Sequence, residues 1–192
     1  SFQFYFKDPW CIFRVFFFFS SVEAEKITLA IAKTKSPSYL RLSRQPVPVF
    51  TNKDYPFKIG EGVKLKNGHQ ITILSTGTAT WHALQAGIKL KEQGIDAEVL
   101  HFPTIKPLDK KIIIESAKKT RRFITVEDHQ IAGGFGSAVA EVVSETFPIP
   151  VIRIGVEDKY GQSGKPEELF RLYGISSTNI AKKAHELIKK TS

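Results

Sequence analysis

The sequence predicts an α/β fold: a three-layer, mostly parallel open sheet, preceded by the remnant of a second α/β domain. Three observations predict it. From Ile71 onward, short apolar runs alternate with segments of helical period. Glycines and prolines fall between the two kinds of segment. Residues 121–141, RRFITVEDHQIAGGFGSAVAE, read as one complete step of such a sheet. That step has a buried strand (Phe123 to Val126), a polar turn (Glu127-Asp128-His129), a glycine-rich bend (Gly133-Gly134-Phe135-Gly136) and a helix. Strands that alternate with helices pair in parallel, with helices on both faces.

Taken in order, residues 1–21 are atypical. The first nineteen hold eight of the fifteen phenylalanines, which sets them apart from the rest and makes the tail alone an aggregation hazard. The run Trp10 to Phe19 is broken by Arg14 and is far short of the roughly 20 residues a membrane span needs. No basic region or small-residue cleavage site marks a signal peptide. Val15 to Phe19 reads as a buried strand. Ser20-Ser21-Val22-Glu23 is a capping-box pattern, with a helix to follow that places Ala24, Ile27 and Ile31 on one face. Ser38 to Leu42 reads as a short strand.

Pro46, Pro48 and Pro56 mark a linker, so residues 1–50 form the remnant, 51–69 a linker and hairpin, and 70–192 the main domain. The hairpin is expected because Asn67-Gly68 separates Val63–Lys66 from His69–Thr72, and both turn positions of such a loop need φ > 0. Strand Ile71–Leu74 precedes a helix from Ala79, with Trp81, Leu84 and Ile88 inward and Gly94 as its stop. Strand Ala97–Phe102 precedes a helix capped by Asp109, carrying Ile112, Ile113 and Ala117. The 121–141 step follows, its helix turning Val139, Val142, Val143 and Phe147 inward. Strand Val151–Ile154 is the fourth. Pro166 suits a first helical position, and a final helix runs from about Ser177 to Lys190.

The formal charge of +9 raises a nucleic-acid partner, but the cations lie on helix faces and last turns, where they favour the dipole. No basic block is interleaved with aromatics, so no nucleic acid and no membrane is expected. A lone cysteine, Cys11, excludes an intrachain disulfide and a cysteine zinc cage, and fits a reducing, cytoplasmic home. Methionine is absent and the chain begins at Ser1, which points to a fragment or a processed chain.

Gly134-Phe135-Gly136 partly matches a dinucleotide fingerprint, but Val139 stands at the third glycine; close backbone packing is the favoured role. Glu127-Asp128-His129 offers acid–base groups without a nucleophile nearby, and a packing role is favoured. The other histidines show no metal-ligand spacing. Arg44, with Arg41, fits either a bidentate phosphate grip or a surface salt bridge.

Several ordered motifs go further: Val22-Glu23-Ala24-Glu25-Lys26, Ser38-Tyr39-Leu40-Arg41-Leu42-Ser43-Arg44, Phe102-Pro103-Thr104-Ile105-Lys106-Pro107-Leu108-Asp109, Val126-Glu127-Asp128-His129 with Gly133-Gly134, and Ser163-Gly164-Lys165-Pro166-Glu167-Glu168-Leu169. Together they resemble the C-terminal part of transketolase, particularly the shorter subunit of the split bacterial form, from about Val22 to the end. Upstream the chain departs: Phe18 to Ser21 stand where the family has a Pro-Ala-Asp-like turn. The resemblance implies a transferase that moves a two-carbon ketol unit from a ketose phosphate to an aldose phosphate, in the pentose phosphate pathway. It implies thiamine diphosphate and Mg2+ for the assembled enzyme, and none bound by this chain alone. It implies that residues 1–50 are the tail of a pyrimidine-binding domain, and that the partner is an N-terminal transketolase subunit or domain, within a dimer. No catalytic or metal-binding residue carries over. Arg44 matches the family arginine that grips the substrate phosphate, whereas the position of Arg41 varies. Glu127, Asp128, His129, Gly133 and Gly134 match a hallmark tied to domain and dimer packing. The alternatives are deoxyxylulose-phosphate synthase, the E1 β subunit of a 2-oxo-acid dehydrogenase, or a non-catalytic dimerisation module. The Thr104–Asp109 and Ser163–Pro166 motifs favour transketolase over the other two enzymes.

Overall fold

The structure, a computed structural model, describes residues 13–43 and 54–191. Cys11, Arg44 and most of the proline-bearing linker lie outside the described residues. The first unit is β1 (Arg14–Phe17), α1 (Ser21–Ala32) and β2 (Ser38–Arg41). β1 and β2 pair in parallel, with Phe17 opposite Arg41. The strand expected at Val15–Phe19 ends two residues early. Phe18 and Phe19 leave it and are buried in two different clusters. α1 is capped as expected: the Glu23 amide donates to Ser20 Oγ at 3.2 Å.

The second unit holds β3 (Val63–Lys66), β4 (Ile71–Ser75), α2 (Ala79–Glu92), β5 (Ala97–His101), β6 (Thr104–Lys106), α3 (Lys110–Thr120), β7 (Phe123–Gln130), α4 (Phe135–Thr146), β8 (Val151–Val156), α5 (Pro166–Leu172) and α6 (Ser177–Thr191). Its sheet has the order β3-β5-β4-β7-β8. β4, β5, β7 and β8 run parallel, and β3 is antiparallel to β5. Every residue of β4 and β5 is buried, as a parallel sheet covered on both faces requires. Ile71 and Ile73 join the cluster formed with α2 and α6, whereas Leu74 joins the one formed with α3 and α4. The strand's period of two thus feeds both outer layers.

Four expectations need correction. The Asn67-Gly68 hairpin does not form, because β5 lies between β3 and β4. Gly68 does not adopt a positive φ. It is glycine because the chain crosses the start of β5 there: a Cβ at residue 68 would lie 2.2 Å from the Ala97 carbonyl carbon. The inward face of α2 is Ala79, Ala83, Ala86 and Leu90, not Trp81, Leu84 and Ile88. Small residues win because the helix lies close to the sheet, and a Cβ at Gly87 would meet Val99 at 2.7 Å. Third, Glu127-Asp128-His129 is not a turn. β7 runs on to Gln130 through a register shift after Val126.

The fourth correction positions the site. β6 was not expected as a strand. It pairs antiparallel with β1, placing Phe16 opposite Thr104, so the first sheet has the order β2-β1-β6. The Phe17 amide also donates to the Pro103 carbonyl at 3.1 Å. One strand of the second unit therefore completes the sheet of the first. Among the described residues, no helix is long and apolar enough to cross a membrane.

Gly68→Ala sets a side chain against backbone that cannot yield. It should cost about 1–3 kcal/mol in urea unfolding, whereas Gly94→Ala, where a Cβ meets nothing within 4 Å, should cost only the strain of its positive φ, about 1 kcal/mol.

Candidate functional site

The chemistry-bearing residues collect where the two sheets meet, at the carboxyl ends of β4, β5 and β7. In open α/β sheets that end is where ligands and partners are met.

At the end of β7, three consecutive residues face three different neighbours. Glu127 is buried, and its carboxylate accepts the amides of Phe135 (2.7 Å) and Gly136 (2.8 Å). Those are orphan donors of the first turn of α4, whose N-cap, Gly134, has no side chain to serve them. A carboxylate also suits the positive end of the helix dipole. The glycines follow from this arrangement. A Cβ at Gly134 would sit 2.3 Å from Glu127 Oε2, and one at Gly136 would sit 2.4 Å from Thr125 Oγ1. Gly133 has φ +70°. The helix start is thus occupied from within the chain, and the dinucleotide reading loses the two amides it needs. Burial pushes the Glu127 carboxyl above its ordinary range, against the two amide bonds that pull it down.

Asp128 reaches the first unit. Its carbonyl accepts from Arg41 Nη1 (3.2 Å) and Nη2 (3.3 Å), and its Oδ2 accepts from Thr78 Oγ1 at 2.8 Å. His129 is exposed, with its ring edge-on to Phe17 at 6.5 Å between centroids. The three side chains do not form one acid–base unit.

A second carboxylate at the seam was legible only as a helix cap. Glu23 is fully buried. It accepts the Phe19 amide (2.9 Å), the Tyr55 hydroxyl (2.8 Å) and His101 Nε2 (3.0 Å). A carboxylate only accepts, so His101 carries its proton on Nε2. His101 Nδ1 lies 2.7 Å from Thr80 Oγ1, at the start of α2. The Phe19 ring stands edge-on to His101 at 4.1 Å. Burial, then the charge and hydrogen bond of Glu23, raise the Tyr55 hydroxyl well above the ordinary tyrosine range. The signal in the sequence was a Glu at a capping position followed by a buried-strand His. Their partners lie 32 and 78 residues away along the chain.

A cavity of about 780 Å³ opens beside this seam, between the start of α2 and α5. Trp81, His82, Phe170 and Tyr173 line it with Lys165 and Glu167. Burial lowers the His82 pKa, opposed by Glu167, and the ring lies 4.6 Å from that of Phe170. Among the described residues, no group of three His, Cys, Asp or Glu could hold a metal ion.

The profile of the transketolase C-terminal domain matches residues 60–180. An apulose-4-phosphate transketolase subunit of Phocaeicola vulgatus is 39% identical over 169 residues, covering 88% of this chain and 54% of that protein. 1-Deoxy-D-xylulose-5-phosphate synthase of Heliobacterium modesticaldum is 42% identical over 130 residues, covering 67% of this chain and 20% of that protein. A solved split-gene transketolase, described as an inactive β4 tetramer, superposes with a TM-score of 0.89 at 36% identity, covering 93% of this chain and 58% of that one. The chain spans about half the length of the curated transketolase relatives it matches.

Two measurements test the seam and the cap. Glu23→Ala leaves the Phe19 amide, Tyr55 and His101 without an acceptor and should cost about 3 kcal/mol or more in denaturant unfolding, against about 1 kcal/mol for Tyr55→Phe. For Glu127 the raised pKa sets the sign. Its favourable contribution is complete below the ordinary carboxylate pKa and is lost as pH rises through the raised value. Unfolding followed as pH rises above the ordinary carboxylate range should show that loss in the wild type, and Glu127→Gln should remove it.

Proposed function

This chain belongs to the transketolase C-terminal domain family, and on that premise we propose that it works as the C-terminal part of a transketolase. The assembled enzyme would transfer a two-carbon ketol unit from a ketose phosphate to an aldose phosphate. When bound, thiamine diphosphate would supply the carbanion that carries the unit, with Mg2+ holding its pyrophosphate. Both would sit on an N-terminal section, in a dimer of cytoplasmic assemblies. The observation that carries this reading is the reach of the likeness to the split-gene transketolase. At 93% of the chain, it extends beyond the C-terminal domain into the unit that precedes it.

The roles within the chain follow. Arg44 grips the substrate phosphate; a planar guanidinium suits it because it offers two parallel donors to phosphate oxygens. Asp128 packs the first unit against the second. Glu127, Gly133 and Gly134 shape the start of α4, and exposed His129 faces the dimer side. The chain alone neither binds thiamine diphosphate tightly nor turns over. That the β4 tetramer of the split-gene relative is described as inactive supports this.

A second reading, deoxyxylulose-phosphate synthase, is favoured by the 42% identity over 130 residues with the Heliobacterium enzyme. The two readings differ in donor. With ribose 5-phosphate as acceptor, the assembled enzyme should convert xylulose 5-phosphate to glyceraldehyde 3-phosphate, lengthen the acceptor by two carbons and release no carbon dioxide. Decarboxylation of pyruvate would favour the second reading. Titration calorimetry of the isolated chain with thiamine diphosphate and Mg2+ should show no heat at micromolar cofactor; micromolar binding would contradict the proposal. In the assembled enzyme, Arg44→Ala should raise KM for phosphorylated substrates about ten- to hundred-fold, the worth of a charge-assisted pair.

A further inference from the structure

Two histidines among the described residues are buried, and the fold serves them differently. His101 has a hydrogen-bond partner at each ring nitrogen. His82 is only 9% exposed and lines the cavity of about 780 Å³ between the start of α2 and α5. Its ring packs on Phe170, and among the described residues neither of its nitrogens makes a hydrogen bond. Neither nitrogen is sealed from solvent. The accessible part of this buried ring therefore opens into the cavity. Burial lowers its pKa, opposed by Glu167, so near neutral pH the imidazole is uncharged and offers one donor and one acceptor.

The outer wall of the cavity is α5, which packs unlike the other helices. None of its seven residues is buried. Leu169 and Phe170, with Tyr173 just past the helix, stay partly buried and line the cavity. Trp81, from the first turn of α2, lines it as well. Such a wall suits the faces and edges of a planar ring. The rim carries Lys165 and Arg171 against Glu167 and Glu168, and Asp128 is already paired with Arg41. The free charges balance, so they select no ionic group. The volume falls within the roughly 300–1,000 Å³ of small-molecule sites, which combine apolar walls with a few placed polar groups.

We infer that this cavity is a ligand site for an uncharged, planar nitrogen heterocycle of about purine size, packed on the aromatic wall and hydrogen-bonded to His82. The inference goes beyond the transketolase reading and does not depend on it. A ring nitrogen or amino group on the ligand gives the unserved imidazole the partner that the chain withholds.

The test uses the full chain, with adenosine as the probe and ribose as the same molecule without its ring system. Titration calorimetry should give a dissociation constant of about 0.1–1 mM for adenosine and no heat for ribose. Amide chemical-shift changes on adding adenosine should map to the start of α2 and to α5. His82→Phe keeps a ring and removes both nitrogens, and should weaken adenosine about ten-fold, the worth of one hydrogen bond. Phe170→Leu lies in a helix with no buried residue. It should also weaken adenosine while leaving the melting temperature nearly unchanged, and it provides the reading should His82→Phe not fold. Adenosine monophosphate should bind within about five-fold of adenosine, because the rim charges cancel. No binding at about 5 mM adenosine overturns the inference. So do shifts that map elsewhere, undiminished binding by both variants, or a preference for the monophosphate above about ten-fold, which would mark an anion site.

Discussion

A carboxylate removed from water must be given donors, and Glu23 takes its donors from both units of the chain. The Phe19 amide comes from just past β1, the Tyr55 hydroxyl from the connection, and His101 from the end of β5. Leaving any one of these buried groups unpaired would cost about 1–3 kcal/mol. The position of α1 against the second sheet is therefore set by polar satisfaction as much as by apolar contact. The phenylalanines around it follow: Phe19 packs on His101 and Tyr55, and Phe16 and Phe18 pack on Ile27.

Charge is used the same way elsewhere. Glu98, buried in β5, is served by Thr72, Lys119 and Lys64 on the far side of the sheet. Although burial opposes it, hydrogen bonds from Lys119, Ser116 and Thr72 and the Lys119 charge hold its pKa below the ordinary range. Glu127 serves α4, and Asp128 serves Arg41 and Thr78. The polar groups at the carboxyl end of the sheet are thus largely committed within the chain. That fits a domain that supports a site rather than one that encloses it.

Much of the architecture was legible in the sequence because its signals are local. The short, mainly apolar runs of β4 and β5, each followed by a segment of helical period, mark parallel strands. Asp109 accepts the Ile112 amide as a cap should, and Gly94 adopts a positive φ just past its helix. What was not legible is set by distance along the chain. Three residues between Pro103 and Pro107 carry too little pattern to announce β6, and their partner β1 is nearly ninety residues earlier. Asn67-Gly68 carries a hairpin signal, but the glycine answers to Ala97 and Glu98, thirty residues on. The inward face of α2 is hidden in the sequence because large apolar residues define a period more visibly than alanines. Glu127 reads as a turn residue there because the amides that bury it belong to the next helix. Arg44 was reached by resemblance, and lies outside the described residues.

The central claim is that this chain supplies one half of a two-part enzyme. The most direct measurement adds it in increments to a fixed amount of a transketolase N-terminal section, with thiamine diphosphate, Mg2+, xylulose 5-phosphate and an aldose phosphate present, and follows ketol transfer. The account predicts no transfer by either part alone and a rate that saturates at one chain per N-terminal section. Transfer by the chain alone, or none at any ratio, would contradict it.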